Sequence, residues 1–283
     1  MAGRSAPTVR RIRVATELRR LREHAGITAT EASRVLGTSQ GQLSNVETAR
    51  FGVSAARVRA MARSYDCSDQ AFIDALVNMA EDRTRGWWEE YREILPAGLL
   101  DLAEVEHHAT RLSTAVTVHI PGLLQTTDHA RELFLQVVPE LPPPEVEHRV
   151  SFRIKRQAVL FRDPPTPYRA IIHEAALRMQ FGGPAVTKRQ LLHLLEMSER
   201  ERVTIQVLPF AAGSFPGSGQ SLFYSGGAVP RLDTVHLDQS HGPVFLDAEA
   251  QLCKYRVLLE RMEAQALPPT QSQDLIRSIV QTL

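Results

Sequence analysis

Between Gly37 and Glu47 the chain reads GTSQGQLSNVE, where Gln40, Gln42, Ser44 and Asn45 bring hydrogen-bond donors and acceptors but no charge. Amides and hydroxyls at this spacing do no acid–base work. They suit paired hydrogen bonding to flat polar edges, of which the adenine edge met by Gln or Asn is the best-defined case. Ser39 stands in the S-x-x-Q relation to Gln42 and predicts an N-cap with a capping box. Leu43, Val46 and Ala49 then form one narrow apolar stripe, leaving the polar residues on the other side. A merely solvated helix face would be expected to carry Glu, Lys or Arg. None occurs between Gln40 and Val46.

Other residues whose types could do chemistry fail on spacing. HEAAL, from His173 to Leu177, begins like a zinc-protease helix, but Leu177 stands where the second His is needed. His107 and His108 are adjacent and point to different faces, which suits a helix surface or an interface better than a metal pair. GSFPGSGQS, from Gly213, lacks the Gly-Lys-Ser/Thr ending of a phosphate loop and reads as a mobile lid or hairpin connection. Gly217, Ser218 and Gly219 approach but miss the G-x-S-x-G spacing of a nucleophile elbow. The expectation is no catalytic residue, no metal, no cofactor and no enzyme.

The elements that must position the neutral face are legible upstream. Val14, Leu18, Leu21 and Ala25 recur at i, i+4, i+7 and i+11 and end at Gly26, which predicts a first helix. Thr28 and Glu31 form a T-x-x-E box, and Ala32, Val35 and Leu36 predict the buried stripe of a short second helix. Helix, glycine-bearing turn and Ser39-capped helix make a helix-turn-helix, whose second helix enters the major groove by its N-terminal end. Further on, Ser54 and Ser68 are the predicted caps of a fourth and a fifth helix.

On these residues the chain from 14 to about 78 resembles the repressor and Cro class of helix-turn-helix domains, also called the xenobiotic-response-element class. The resemblance implies that Gln40, Gln42, Ser44 and Asn45 read bases, with Gln40 the leading candidate for a bidentate contact to adenine. It also implies that Arg22 and Glu47 form a structural pair locking the first helix to the recognition helix. The chain departs from the family at Ala29, where Gln is frequent, and at Ala49, where Gly is frequent.

Charge supports the same division. Residues 1–65 hold twelve Arg, no Lys and four Glu, a net of +8, while the rest of the chain, with 21 basic and 28 acidic residues, carries −7. A basic domain joined to an acidic one fits phosphate binding by the first alone. Arg10, Arg11, Arg13, Arg34 and Arg50 are the phosphate candidates. The arm at residues 1–13, MAGRSAPTVRRIR, has two readings: a basic arm that wraps a duplex, or a terminus with no role. No apolar segment of signal-peptide type follows it.

With 283 residues and 43% hydrophobic content, the chain can bury about two cores. No window approaches the ~20 apolar residues of a membrane span. Two cysteines, Cys67 and Cys253, are too few for a disulfide framework and suit a reducing cytoplasm. The expected organisation is the arm at 1–13, a five-helix domain at 14–82 and an α+β domain at 86–283. The last has a mainly antiparallel sheet built from short strands such as VTIQVLPF, SLFYS, DTVHLD and PVFLD. Trp87 and Trp88, unable to share one inward helix face, are candidates for a partner or dimer contact.

PGLLQT after a WWxxY segment, RxxRQ at Arg153 to Gln157, and VTIQVLPF with its Gly-rich continuation resemble the large C-terminal domain of WhiJ-like regulators. The resemblance spans residues 86–283. It implies a transcriptional regulator, on the nucleoid of a filamentous bacterium, encoded beside a small partner protein in an antitoxin-like pairing. Expected partners are therefore double-stranded DNA, a second copy of the chain and that small protein, and not a membrane. The alternative reading is a sensor of a small-molecule ligand, or less favourably an enzyme, with its pocket under the Gly213–Gly219 loop.

Overall fold

The computed structural model describes residues 7–82, 84–217, 219–239 and 242–283. The chain forms two compact units. The first holds residues 1–86 together with Ala228–Leu232, and the second holds 87–227 with 233–283.

In the first unit, α1 (Val9–His24), α2 (Ala29–Val35), α3 (Gln40–Glu47), α4 (Ala55–Ser64) and α5 (Gln70–Glu81) follow one another through short turns. Most of the expected caps form. The Thr28 hydroxyl accepts from the Glu31 backbone N–H while Glu31 reaches back to the Thr28 N–H, a complete capping box, and Ser54 caps α4. Leu18, Leu43, Val58, Met61, Phe72 and Leu76 are fully buried between the helices. Each such side chain contributes roughly 1.5–3 kcal/mol over its exposed state. Leu43 therefore anchors α3 by its one apolar face.

Three expectations need correction here. The first helix starts at Val9 with Thr8 as its cap, so Arg10, Arg11 and Arg13 belong to a helix and not to an arm; residues 1–6 of that arm lie outside the described residues. Val35 is 61% exposed, because a seven-residue helix has only one inner face and Ala32 and Ser33 fill it. Asp69, one residue beyond Ser68, caps α5 with the shorter, charged acceptor. The fifth helix stops at Glu81, and the chain turns extended at Asp82.

Residues Ala228–Leu232 complete the first unit. Leu232 is 5% exposed within its core, and the Arg231 guanidinium lies 4.1 Å from the Phe72 ring centroid. Arg231 also reaches Glu17 at 3.3 Å, and its carbonyl accepts from Arg13 Nη2 at 2.5 Å.

The second unit opens with a 3-10 turn at Trp87–Tyr91. Then follow α6 (Ala97–His108), β1 (Arg111–Val116), α7 (Thr127–Phe134), α8 (Pro143–Arg156), β2 (Tyr168–His173), α9 (Glu174–Arg178), α10 (Gly183–Ser198), β3 (Val203–Leu208), β4 (Leu222–Gly226), β5 (Thr234–Gln239), β6 (Gly242–Leu246), α11 (Glu249–Gln265) and α12 (Pro269–Gln281). The sheet runs β3-β2-β1-β4-β5-β6. The pairings β3–β2 and β2–β1 are parallel and the other three antiparallel, so the sheet is mixed. Its parallel half is covered on both faces. Ile172, Ile205 and Val207 pack with Leu191, Leu194, Ile276 and Ile279 of α10 and α12, while Ala115, Ile171 and Leu208 share the other core with Leu252 and Met262 of α11.

Trp87 and Trp88 are not an exposed contact surface. In the tighter 3-10 turn both enter one aromatic cluster. Trp88 is 3% exposed and edge-on to His107, and the half-buried Trp87 lies 5.1 Å from Phe152.

Candidate nucleic-acid interface

The interface is built outward from the buried ion pair beneath it. The Arg22 guanidinium on α1 donates from Nε and Nη2 to the two carboxylate oxygens of Glu47 at 2.7 and 2.8 Å, and from Nη1 to the Ile27 carbonyl at 2.9 Å. The two side chains keep only 10% and 6% of their surface. The hydrogen bond to Glu47 raises the Arg22 pKa against the opposing effect of burial. Burial, then the Glu47 charge, pushes the Tyr65 hydroxyl up to about 12, so the pair is enclosed by a neutral phenol. The last turn of α3 is thus fixed to α1 and, through Arg22, to the turn between α1 and α2. The pairing implied by the resemblance forms.

The first turn of α3 is held separately. Ser39 Oγ accepts from the Gln42 backbone N–H at 3.2 Å, giving the N-cap. The reciprocal half of the box is absent among the described residues: Gln42 Oε1 accepts from the Thr38 hydroxyl at 2.6 Å instead. Gln42 is exposed but already engaged. Gln40 and Ser44, one turn apart, are exposed, Asn45 is partly buried, and among the described residues none of the three side chains makes a hydrogen bond. Gly41, between them, would meet nothing within 4 Å if it bore a Cβ, so this face is open. Three neutral, uncommitted side chains on a rigid helix leave base edges as their natural complement.

The helix ends in a left-handed residue. Ala49 adopts φ +58°, and its N–H bonds to the Val46 carbonyl at 3.1 Å. This is the conformation for which glycine is ordinarily used, and it is the position where the chain departs from the resembled family. The turn forms regardless, with the Ala49 side chain 3% exposed.

The arginines separate by environment. Arg34 and Arg50 are exposed. Arg11 is exposed and lies 3.5 Å from the Ala49 carbonyl, at the end of α3. Arg10 pairs with Asp82 at 3.4 Å. Arg13 cannot serve as a phosphate contact: it is 4% exposed and lies 3.1 Å from Glu17, itself 1% exposed and also met by Arg20 at 2.6 Å. The Arg13–Glu17 spacing of four and the Glu17–Arg20 spacing of three were the available signal for this buried cluster. Its third cation, Arg231, lies too far along the chain for local spacing to reveal.

In the second unit the two motifs of the C-terminal resemblance meet. Arg153 Nη1 donates to Gln125 Oε1 at 2.6 Å, Gln157 Nε2 to the Gln125 carbonyl at 2.7 Å, and Gln125 Nε2 to the Ile120 carbonyl at 2.6 Å. Arg156 forms a buried bidentate pair with Glu106 at 2.6 and 2.8 Å. His173 is the cap of α9, its Nδ1 accepting from the Ala175 N–H at 3.1 Å. Among the described residues no group of three or more His, Cys, Asp and Glu is placed to hold a metal, and no helix is long and apolar enough to cross a membrane.

Residues 99–278 match the family described as "Domain of unknown function (DUF5753)". The chain belongs to the DUF5753 family. Ahead of that domain, residues 13–76 of this DUF5753 protein match a family described as "Helix-turn-helix domain". That match takes in α1 from Arg13 onward, α2 to α4 and part of α5, and with them Arg22, Glu47 and the neutral face of α3. It supports a DNA-binding regulator of the helix-turn-helix kind. No curated protein and no solved structure matches this DUF5753 chain.

Proposed function

We propose that the chain is a sequence-specific transcriptional regulator that binds an inverted repeat as a homodimer, with the N-terminal turn of α3 in the major groove. The observation that carries this reading is the open face of Gln40, Ser44 and Asn45 on a helix pinned by the Arg22–Glu47 pair. Base readout needs side chains that are neutral, rigidly carried and without internal partners, and these three meet all three conditions. Arg34 and Arg50, with Arg11, supply the phosphate contacts that set affinity. A homodimer follows from half-site geometry, since one such helix reads only a few base pairs and pairing across a two-fold axis doubles the contact.

In this reading the DUF5753 domain receives the signal. The WhiJ-like pattern of PGLLQT and RxxRQ supports a small protein from a neighbouring gene as the modulator, in an antitoxin-like pairing on the nucleoid. The alternative is a small-molecule effector, favoured by buried polar atoms of the second unit, such as both ring nitrogens of His129, that have no hydrogen-bond partner among the described residues. In this reading the function is regulatory and not enzymatic, and His173 serves as the cap of α9.

Selection of genomic fragments by the purified full-length chain at physiological salt tests the proposal. Enrichment of an inverted repeat with half-sites about 10 base pairs apart, or a multiple of that, supports it. Recovery of fragments sharing only base composition would reduce the reading to non-specific DNA binding.

A further inference from the structure

The second unit contains a charged side chain whose position folding does not explain. Arg153, on the inner side of α8, makes one side-chain hydrogen bond, to Gln125, and its guanidinium stands 4.5 Å from the Phe134 ring centroid. A Cβ added at Gly122 would lie 3.7 Å from it, so backbone closes another side. Its Nε is buried without a partner, and among the described residues no carboxylate comes within the 4.0 Å of an ion pair. The neighbouring cations are already committed, Arg156 to Glu106 and Arg149 to Glu145 at 2.7 Å. Burial, then the like charge of Arg156, brings Arg153 down to about 10, so it remains a cation at neutral pH. Arg153 is only partly buried, but its enclosed Nε has no partner and no carboxylate stands against the guanidinium, so a place for an anion is left there.

Polar groups from two other segments share its electrostatic environment. His129 on α7 is 1% exposed, and neither ring nitrogen has a hydrogen-bond partner among the described residues. His119, just after β1, is exposed; its ring lies 5.1 Å from Phe181, and that of His129 lies 5.8 Å from the same ring. Desolvation, followed by neighbouring positive charge that includes Arg153, lowers the pKa of both imidazoles and takes that of the buried His129 to about 4. A neutral imidazole still offers one N–H donor. Asp238 on β5, whose charge acts against the lowering of the Arg153 pKa, has its Oδ1 2.9 Å from His236 Nε2.

We propose that Arg153, with His119 and His129 as N–H donors, forms a binding site for a small organic anion whose carboxylate or phosphate meets the guanidinium. Phe134 and Phe181 flank these polar groups, so the anion carries a planar or apolar body. The inference deepens the effector alternative above and rests on it only for the effect on DNA. Binding itself is read without DNA, so its failure is distinct from failure of the regulatory reading.

The test is thermal unfolding of the full-length chain followed by tryptophan fluorescence, which reports the second unit because Trp87 and Trp88 are the only tryptophans. The probes are benzoate, phenyl phosphate and the neutral isostere benzamide. At ten times its Kd an effective anion should raise Tm by about 3–6 °C. Benzamide should not, and the better of the two anions identifies the headgroup. Arg153→Met should abolish the shift while leaving the unliganded Tm unchanged or higher, because an unneutralised, partly buried cation has been removed. His119→Ala, an exposed position, is the second variant and should reduce the shift even if Arg153→Met fails to fold. The proposal is overturned if neither anion shifts Tm, if benzamide acts as well as benzoate, or if either variant keeps the full shift.

Discussion

Replacing Glu47 by leucine leaves Arg22 as a buried cation that has lost two bonds, at 2.7 and 2.8 Å, and keeps one, to the Ile27 carbonyl at 2.9 Å, with the half-exposed Glu23 carboxylate 3.7 Å from Nη2. Breaking a buried pair from one side costs about 3–5 kcal/mol, and the surviving bond to Ile27 places Glu47→Leu near the lower end, about 3 kcal/mol. Adding Arg22→Met removes the stranded charge, and the remaining penalty is the orphaned Ile27 carbonyl with some misfit, about 1–2 kcal/mol. The double variant should therefore be more stable than Glu47→Leu alone, by at least about 1 kcal/mol. Urea unfolding separates the units: far-UV circular dichroism sees both, whereas fluorescence of Trp87 and Trp88 follows the second only. The loss should appear in the dichroism transition and leave the fluorescence midpoint in place. A loss below about 1 kcal/mol for Glu47→Leu, or a double variant no better than the single, would refute the view that this pair locks α3 to α1.

Arg50→Ala should weaken binding to every DNA sequence alike and reduce the slope of log K against log salt by about 0.9, the value for one phosphate contact; an unchanged slope places Arg50 off the backbone. Leu232→Ala should destabilise the DNA-binding unit by about 2–5 kcal/mol although it lies more than 150 positions beyond α5, and an unchanged dichroism transition would remove residues 228–232 from that unit's core. His129 is buried neutral, its pKa brought from 6.5 to about 4 by burial and then by His119 and Arg153. A depressed histidine is fully stabilising above the unfolded value and loses that contribution as pH falls from 6.5 toward 4, because the unfolded chain binds the proton first. The second unit should lose up to about 3 kcal/mol across that window, and His129→Leu should flatten the dependence measured by tryptophan fluorescence.

The parts of this fold that were readable in the sequence are those fixed by contacts a few residues apart. Thr28 with Glu31, Ser39 at α3 and Ser54 at α4 are local capping chemistry, and each forms. Gln42 went a different way because Thr38, at four-residue spacing, competes for its side chain. Val35 fits a helical period but lies on a helix too short to bury two faces. Arg13 appeared to be one of an arm's free cations, since its partner Glu17 and the carbonyl of Arg231 are drawn in by burial that charge counting does not see. The parallel pairing of β1 with β2 was equally hidden. Alternation within a strand reports its faces and not its neighbour, and the partner lies beyond α7 and α8. Arg153 was visible as part of a motif, but its lack of a counter-ion is a property of the packed unit alone.

The central claim is that Gln40 and Asn45 read bases. It is tested most directly by measuring the affinity of wild type and Gln40→Ala/Asn45→Ala for a selected operator and for random duplex at one salt concentration. The account predicts that the double variant loses about 2–6 kcal/mol on the operator, at ~1–3 kcal/mol per lost contact, and almost nothing on random DNA. Equal losses on both duplexes, or none on the operator, would contradict it.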